Sequence, residues 1–258
     1  MAKTRILLTG AAGGIGSAFF RATAAHYIFR LADQVTTTLA GSASDGHEVC
    51  SLDVADLEAC QRACQEVEVV VHLAATTNPD AQFYPALLRN NIQGTYNIFR
   101  AAKDQGCQRV IFASSAQVIA GYPSDVQAQL DSPLRPMNMY GVSKCFGEVV
   151  ASYFAHAEGL SSIAIRIGSY DVQADDSNWL RQAPNRRHLS GYVSARDLNH
   201  LLVRCIETPN VLFAIVHGIS NNRFKRLDLT ATRELLDYIP QDDAFELFQA
   251  DLPKWLQD

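Results

Sequence analysis

The 258-residue sequence predicts an α/β protein built on a doubly wound parallel sheet. Two observations carry that prediction. Short apolar, β-branched runs alternate with segments whose apolar residues fall at helical spacing, and a glycine-rich turn follows the first run directly. Strands are expected at Arg5 to Thr9, Tyr27 to Leu31, Glu48 to Leu52, Val67 to Leu73, Arg109 to Ala113, Ser162 to Ile167 and Leu212 to His217. Helices are expected at Ser17 to His26, Leu57 to Cys64, Phe83 to Gln105 and Tyr140 to His156. Runs such as Val69-Val70-Val71, apolar at every position, need cover on both faces, which helices on either side of a parallel sheet provide. The proline-rich stretch 121–138 and the polar stretch 169–188 read as loops, and long loops in compact domains are usually functional or disordered.

Composition narrows the function classes. With 22 basic and 27 acidic residues the formal net charge is −5, which offers no general attraction to nucleic-acid phosphates or anionic lipid, so neither partner is expected. The apolar run after Arg5 gives way to Thr9-Gly10-Ala11-Ala12-Gly13-Gly14, a strand and its turn rather than a secretory leader. No apolar stretch approaches the length of a membrane span. Six cysteines lack disulfide density and the Cys-x-x-Cys spacing of a zinc site, so no metal is expected and a reducing cytoplasm fits. Cys60 and Cys64 would share a helix face as small core residues.

The glycine turn has a specific use. Gly10, Gly13 and Gly16 stand between a strand and a helix, where glycine allows the tight turn, the close approach of a pyrophosphate and close helix packing. The backbone from Gly10 through Ala12, Gly13, Gly14 and Ile15 to Gly16 is therefore expected to cradle a dinucleotide. Asp33, about 20 residues past Gly10, is placed to accept both adenosine ribose hydroxyls and to repel a 2′-phosphate, favouring NAD over NADP. The plainer reading of Asp33 is a strand-end turn. Asp53 is expected at the adenine amino group, and Leu73, Ala74 and Ala75 along the adenosine and ribose, with strand-end punctuation as the alternative. His72 reads more simply as a hydrogen-bonded core histidine.

Tyr140 and Lys144 lie four apart and share a helix face. An ammonium near a phenol, together with a positive nicotinamide ring, favours phenolate and lowers the tyrosine pKa, which suits Tyr140 to general acid–base work. Ser115 follows the fifth strand at the carboxyl edge of the sheet, where its hydroxyl is expected to hold the reacting oxygen. Asn91, in the preceding helix, is expected to keep a proton-relay water in place.

These residues resemble the extended short-chain dehydrogenase/reductases: the glycine turn, Ser115 and the Tyr140-x-x-x-Lys144 pair occur in that order and at similar separations. The resemblance implies a Rossmann fold, an NAD cofactor and hydride transfer on a small-molecule substrate. It also implies a cofactor-binding core at 1–168 and a small, dependent substrate-binding portion at 169–258. The relatives commonly form homo-oligomers through the helices beginning at Phe83 and Tyr140.

The chain is more narrowly similar to bacterial uronate dehydrogenases through Arg30-Leu31-Ala32-Asp33, Tyr140 to Glu148, Arg166-Ile167-Gly168-Ser169 and Asp237 to Ala244. That resemblance implies oxidation of a cyclic sugar acid at C1 to a lactone, with Thr77, Ser115, Ser169 and Arg187 holding the substrate. Arg186 is the adjacent alternative for the carboxylate grip, and a solvated loop arginine the plainer one. Two features depart from the group: Ala116 stands where it has asparagine, and the loop between Ser169 and Arg187 is longer. A carbonyl reductase or alcohol dehydrogenase for a non-uronate substrate is the alternative within the enzyme class. A non-catalytic NAD-binding protein is the reading outside it.

Overall fold

The computed structural model describes residues 3–170 and 186–248. Nine strands are seen among them: β1 (Arg5–Thr9), β2 (Ile28–Asp33), β3 (Glu48–Ser51), β4 (Val69–His72), β5 (Arg109–Ser115), β6 (Ser161–Ile167), β7 (Ser169–Tyr170), β8 (Tyr192–Val193) and β9 (Phe213–Gly218). Seven form one parallel sheet in the order β3-β2-β1-β4-β5-β6-β9, and β7 pairs with β8 beside it. The chain winds outward from β1 in one direction and from β4 in the other. The crevice at this reversal is where ligands of such sheets bind.

The alternation of side chains builds two apolar layers. Ile6, Leu8, Val71, Ile111 and Ile165 join Phe19 and residues Leu198, Leu201 and Leu202 on one face. Leu7, Val70, Val110, Phe112 and Ala164 join Cys60, Ile98, Phe99, Ala151 and Phe154 on the other. The covering helices are α1 (Gly14–Thr23) with the helix Ala195–Glu207 on the first face, and α2 (Leu57–Cys64), α3 (Gly94–Asp104) and α4 (Met139–Glu158) on the second. No helix among the described residues is long and apolar enough to cross a membrane.

Helix α4 presses unusually close to the sheet. A Cβ at Gly147 would stand 2.1 Å from the Phe112 ring, so only glycine permits this approach. Next to it, Glu148 accepts from Arg166 Nε and Nη2, each at 2.9 Å, and from the Ser114 hydroxyl at 2.7 Å. Arg166 Nη1 also reaches the Leu130 carbonyl at 3.2 Å. Both charged side chains are 3 % exposed, so this fork ties α4, β5, β6 and the proline-rich loop together in the interior.

The expected strands and helices differ from the observed ones mostly at their ends. Helix α1 begins inside the glycine turn rather than at Ser17, and Ser114 and Ser115 belong to β5, paired with Arg166 and Ile167 of β6. The expected continuous helix Phe83 to Gln105 is a π-helix, Phe83–Gln93, followed by α3. Apolar spacing does not reveal the wider winding; hydrogen bonds from Gln93 to the Ala55 carbonyl and between Asn91 and Thr76 accompany it. The helix Ala195–Glu207 is additional to the expected ones; Ser194 caps it and Leu198, Leu201, Leu202 and Cys205 are buried along it. The shorter helices Thr230–Leu236 and Ala244–Leu247 carry too few residues for a periodic signal.

Truncating one partner of a buried ion pair strands the other charge. Glu148→Ala is expected to lower unfolding free energy by about 3–5 kcal/mol, as measured by chemical denaturation.

Candidate active site

The carboxyl ends of the central strands open into a cavity of about 840 Å³. At one end lies the glycine turn. Gly10 has φ +69°, and a Cβ there would stand 2.8 Å from the Ala74 nitrogen; at Gly16 it would stand 2.3 Å from the Gly10 carbonyl. These contacts exclude side chains and seat α1 against the turn. Gly13 precedes the helix without a side-chain cap, leaving the first-turn N–H groups to an anion. Asp33 Oδ2 accepts from the Ala12 N–H at 3.0 Å, which fixes the carboxylate on the cavity wall. Arg30 is turned away, donating to Glu48 and to the carbonyls of Ala63 and Gln65.

Most residues expected to meet a dinucleotide converge here. Gly10, Gly13, Gly14, Ile15, Gly16 and Asp33 line the cavity, as do Leu73, Ala74 and Ala75 from the end of β4. Ala12 acts through Asp33 instead of on the wall. Asp53 is not among the lining residues: it accepts from Arg89 and from the Ala55 N–H, and the Arg89 hydrogen bond holds its carboxyl below the usual range. Sequence reasoning missed Gln34, Leu52 and Val54, wall residues whose place depends on the neighbouring strand ends.

At the other end Ser115, Tyr140 and Lys144 share the cavity wall. Asn138 caps α4 by accepting from the Gly141 N–H at 2.7 Å, and Tyr140 falls in the first turn. A Cβ at Gly141 would lie 2.7 Å from the Gln117 carbonyl, so glycine lets the turn after β5 reach the helix start. Ser115 Oγ accepts from the Gln117 N–H at 3.2 Å and shares a hydrogen bond with Tyr140. Lys144 Nζ donates to the Ala113 carbonyl at 2.8 Å, lies 5.0 Å from the Phe112 ring centre and 5.7 Å from that of Tyr140.

The protonation energetics differ from the expectation of a phenol lowered by its lysine. Burial pushes Lys144 down to about 7 and raises Tyr140 above its ordinary value, against the Ser115 hydrogen bond that lowers it. With Lys144 desolvated and its donor bonded to a backbone carbonyl, the chain's own groups leave the phenol protonated. His72, beneath the pair, is pushed to about 3 by burial and by Lys144. It shares a 2.8 Å hydrogen bond with Thr9 Oγ1, which accepts from the Ala74 N–H, so it supports the cradle as a neutral core histidine.

The Asn91 side chain, expected to hold a relay water, is hydrogen-bonded to neighbouring protein groups. Its amide accepts from the Thr76 N–H at 2.8 Å and donates to the Thr76 carbonyl at 3.0 Å and to Ser143 Oγ at 2.9 Å. Both amide hydrogens are therefore used in joining the loop after β4 to α4, and Asn91 is not among the wall residues. Thr77, Ser169 and Ala116 do line the cavity, together with Gln117, Tyr170 and His188, which the sequence did not single out. Arg186 and Arg187 begin the helix Arg186–Ser190; the substrate role expected of the Arg187 side chain lies outside the described residues, as do residues 171–185.

A family model described as the NAD dependent epimerase/dehydratase family matches residues 6–170. The chain belongs to that family. The chain is 36 % identical over 248 residues to a uronate dehydrogenase of Pseudomonas syringae pv. tomato, covering 95 % of this chain and 84 % of the relative. It is 33 % identical to an NAD-dependent glucose-6-phosphate dehydrogenase of Haloferax volcanii, covering 93 % of this chain and 94 % of that one. The solved uronate dehydrogenase from Agrobacterium tumefaciens superposes with a TM-score of 0.85 at 31 % identity, over 98 % of this chain and 90 % of that one.

The residues fit NAD. The cradle excludes Cβ atoms where a pyrophosphate must approach, and Asp33 keeps a second carboxylate oxygen for ribose hydroxyls. Asp33→Ser, which keeps an acceptor and removes the charge, is expected to raise the ratio of kcat/KM with NADP to that with NAD by at least about tenfold; steady-state kinetics with both cofactors check this. In protein free of cofactor, Lys144 is expected to titrate near pH 7, about three units below ordinary lysines. NMR of isotopically labelled lysine measures the midpoint, and a value above pH 9 contradicts the desolvation argument.

Proposed function

We propose that the protein is an NAD-dependent dehydrogenase that oxidises the ring form of a uronic acid at C1 to a lactone. The observation that carries the reading is the presence of the dinucleotide cradle and of Ser115, Tyr140 and Lys144 on the walls of one cavity. Similarity to uronate dehydrogenases over nearly the whole chain supports the substrate class.

The chain's own groups do the following. Ser115 Oγ donates to the substrate's C1 oxygen and keeps it within reach of Tyr140. Tyr140, as phenolate, takes the hydroxyl proton as the carbonyl forms, and as phenol returns it in the reverse direction. Lys144, when protonated, favours that phenolate through its charge. Bound NAD supplies the acceptor for the hydride that leaves C1. Thr77, Ser169 and Arg187 hold the far side of the sugar, with the arginine gripping the carboxylate. Asn91 orients Thr76 and Ser143 and acts as a positioning residue.

Ala116 favours a second reading, a reductase or dehydrogenase for a non-uronate substrate, because its methyl group offers no hydrogen bond on the substrate wall. We infer a cytoplasmic location, which the six free cysteines support. We read the described residues after Gly168 as a dependent part of one domain, a reading supported by the pairing of β9 with β6 and by the helix Ala195–Glu207 on the same core. Exposed Tyr84, Leu88 and Tyr96 beside exposed Val142, Val149 and Tyr153 form an apolar face suited to a second copy of the chain.

NADH formation with glucuronate, galacturonate, neutral aldoses and secondary alcohols tests the reaction. Rapid turnover of uronates supports the first reading, and turnover restricted to neutral alcohols or ketones replaces it with the second. Tyr140→Phe is expected to reduce kcat by at least about a thousandfold with NAD affinity changed less than about threefold, compared by single-turnover kinetics and calorimetry. Val149→Glu is expected to shift sedimentation toward monomer while NADH formation persists.

A further inference from the structure

Gln117 and Asn138 meet at the substrate end of the cavity, and their hydrogen bonds leave one orientation for each amide. The Gly141 N–H can only donate, so the Asn138 atom that meets it at 2.7 Å is Oδ1. The other end of Asn138 is then Nδ2, which donates to Gln117 at 3.2 Å, and the Gln117 atom accepting it is Oε1. By the same logic the remaining group of Gln117 is its Nε2 amide. Among the described residues no hydrogen-bond partner is found for Nε2, and Gln117 lines the cavity and is half-buried there.

The position of this donor is set by the catalytic group. The Gln117 N–H donates to Ser115 Oγ, so the residue begins one hydrogen bond from the hydroxyl that holds the reacting oxygen. Ala116, between them, has no polar side chain to offer.

We propose that Gln117 is a specificity-determining residue whose Nε2 donates to the hydroxyl on the substrate carbon next to the one oxidised, with Asn138 as the positioning residue that holds it in that orientation. The substrate class is thereby a vicinal hydroxy compound, a sugar whose neighbouring oxygen is read by a neutral donor, rather than a simple alcohol or ketone. The inference rests on the sugar-oxidising reading above and deepens it. It also explains how the wall retains a polar contact beside Ala116.

Two variants test it. Gln117→Leu keeps the approximate size and removes the donor. Gln117→Met keeps the length of the side chain and likewise carries no N–H donor. The measurement is kcat/KM for glucuronate divided by kcat/KM for 2-deoxyglucuronate. The wild-type ratio is expected to be at least about tenfold, the loss typical of an unmet polar group, and to fall to about one in both variants. Activity on the deoxy compound should stay within about threefold of wild type.

A wild-type ratio near one, or a ratio unchanged in Gln117→Leu or in Gln117→Met, overturns the proposal while leaving uronate oxidation intact. If the wild type ignores uronates but oxidises glucose, the sugar-acid reading falls by itself, and the glucose to 2-deoxyglucose ratio in the same variants decides Gln117. Turnover of simple alcohols alone overturns both.

Discussion

Glu148 and Arg166 meet in the interior with both carboxylate oxygens and two guanidinium nitrogens engaged, and Ser114 adds a hydroxyl to the same carboxylate. Taking two charges out of water is costly, and the cost is tolerable only where the geometry satisfies them as fully as it does here. Since the fork spans α4, β5 and β6, its directional demands specify how the helix sits on the sheet. Gly147, one residue away, removes the side chain that would hold the helix off Phe112. Tyr140 and Lys144 are carried by that helix and Ser115 by that strand, so their mutual distances descend from this one contact.

The burial that gives the site its geometry also sets its electrostatics. Lys144 lies over Phe112 on the cavity wall, where desolvation weakens its hold on a proton; burial and the nearby Lys144 keep His72 neutral. The phenol of Tyr140 is raised by the same loss of water. Proton transfer in such a surrounding depends strongly on the charge brought in with the ligands, because nearby charges act with little screening. At the opposite end the cradle works with backbone rather than side chains: open N–H groups at α1 and a carboxylate anchored by Ala12.

Much of this was legible beforehand where local chemistry had to be of one kind. The glycine turn could be read because backbone approaches at Gly10 and Gly16 leave no room for a Cβ, and Tyr140 with Lys144 because helical spacing puts them on one face. The strand cores were legible because residues buried on both sides must be apolar throughout. The helix Ala195–Glu207 carries an equally good signal in its leucines and its serine cap, outside the expected helices. By contrast, the π-winding of Phe83–Gln93 leaves no periodic mark distinct from an α-helix.

The amino-acid order alone determined the layered α/β class, the dinucleotide turn and the Ser115, Tyr140 and Lys144 group, since each follows from constraints among near neighbours or from a repeated pattern. Tertiary structure alone decided the partners of side chains whose chemistry permits several. Asp53 met Arg89 rather than the cavity, Asn91 spent its amide on Thr76 and Ser143, and Gln117 was oriented by Asn138. Such polar side chains hydrogen-bond equally well to many groups, and which group comes within reach is settled by the packing of segments far apart in the chain.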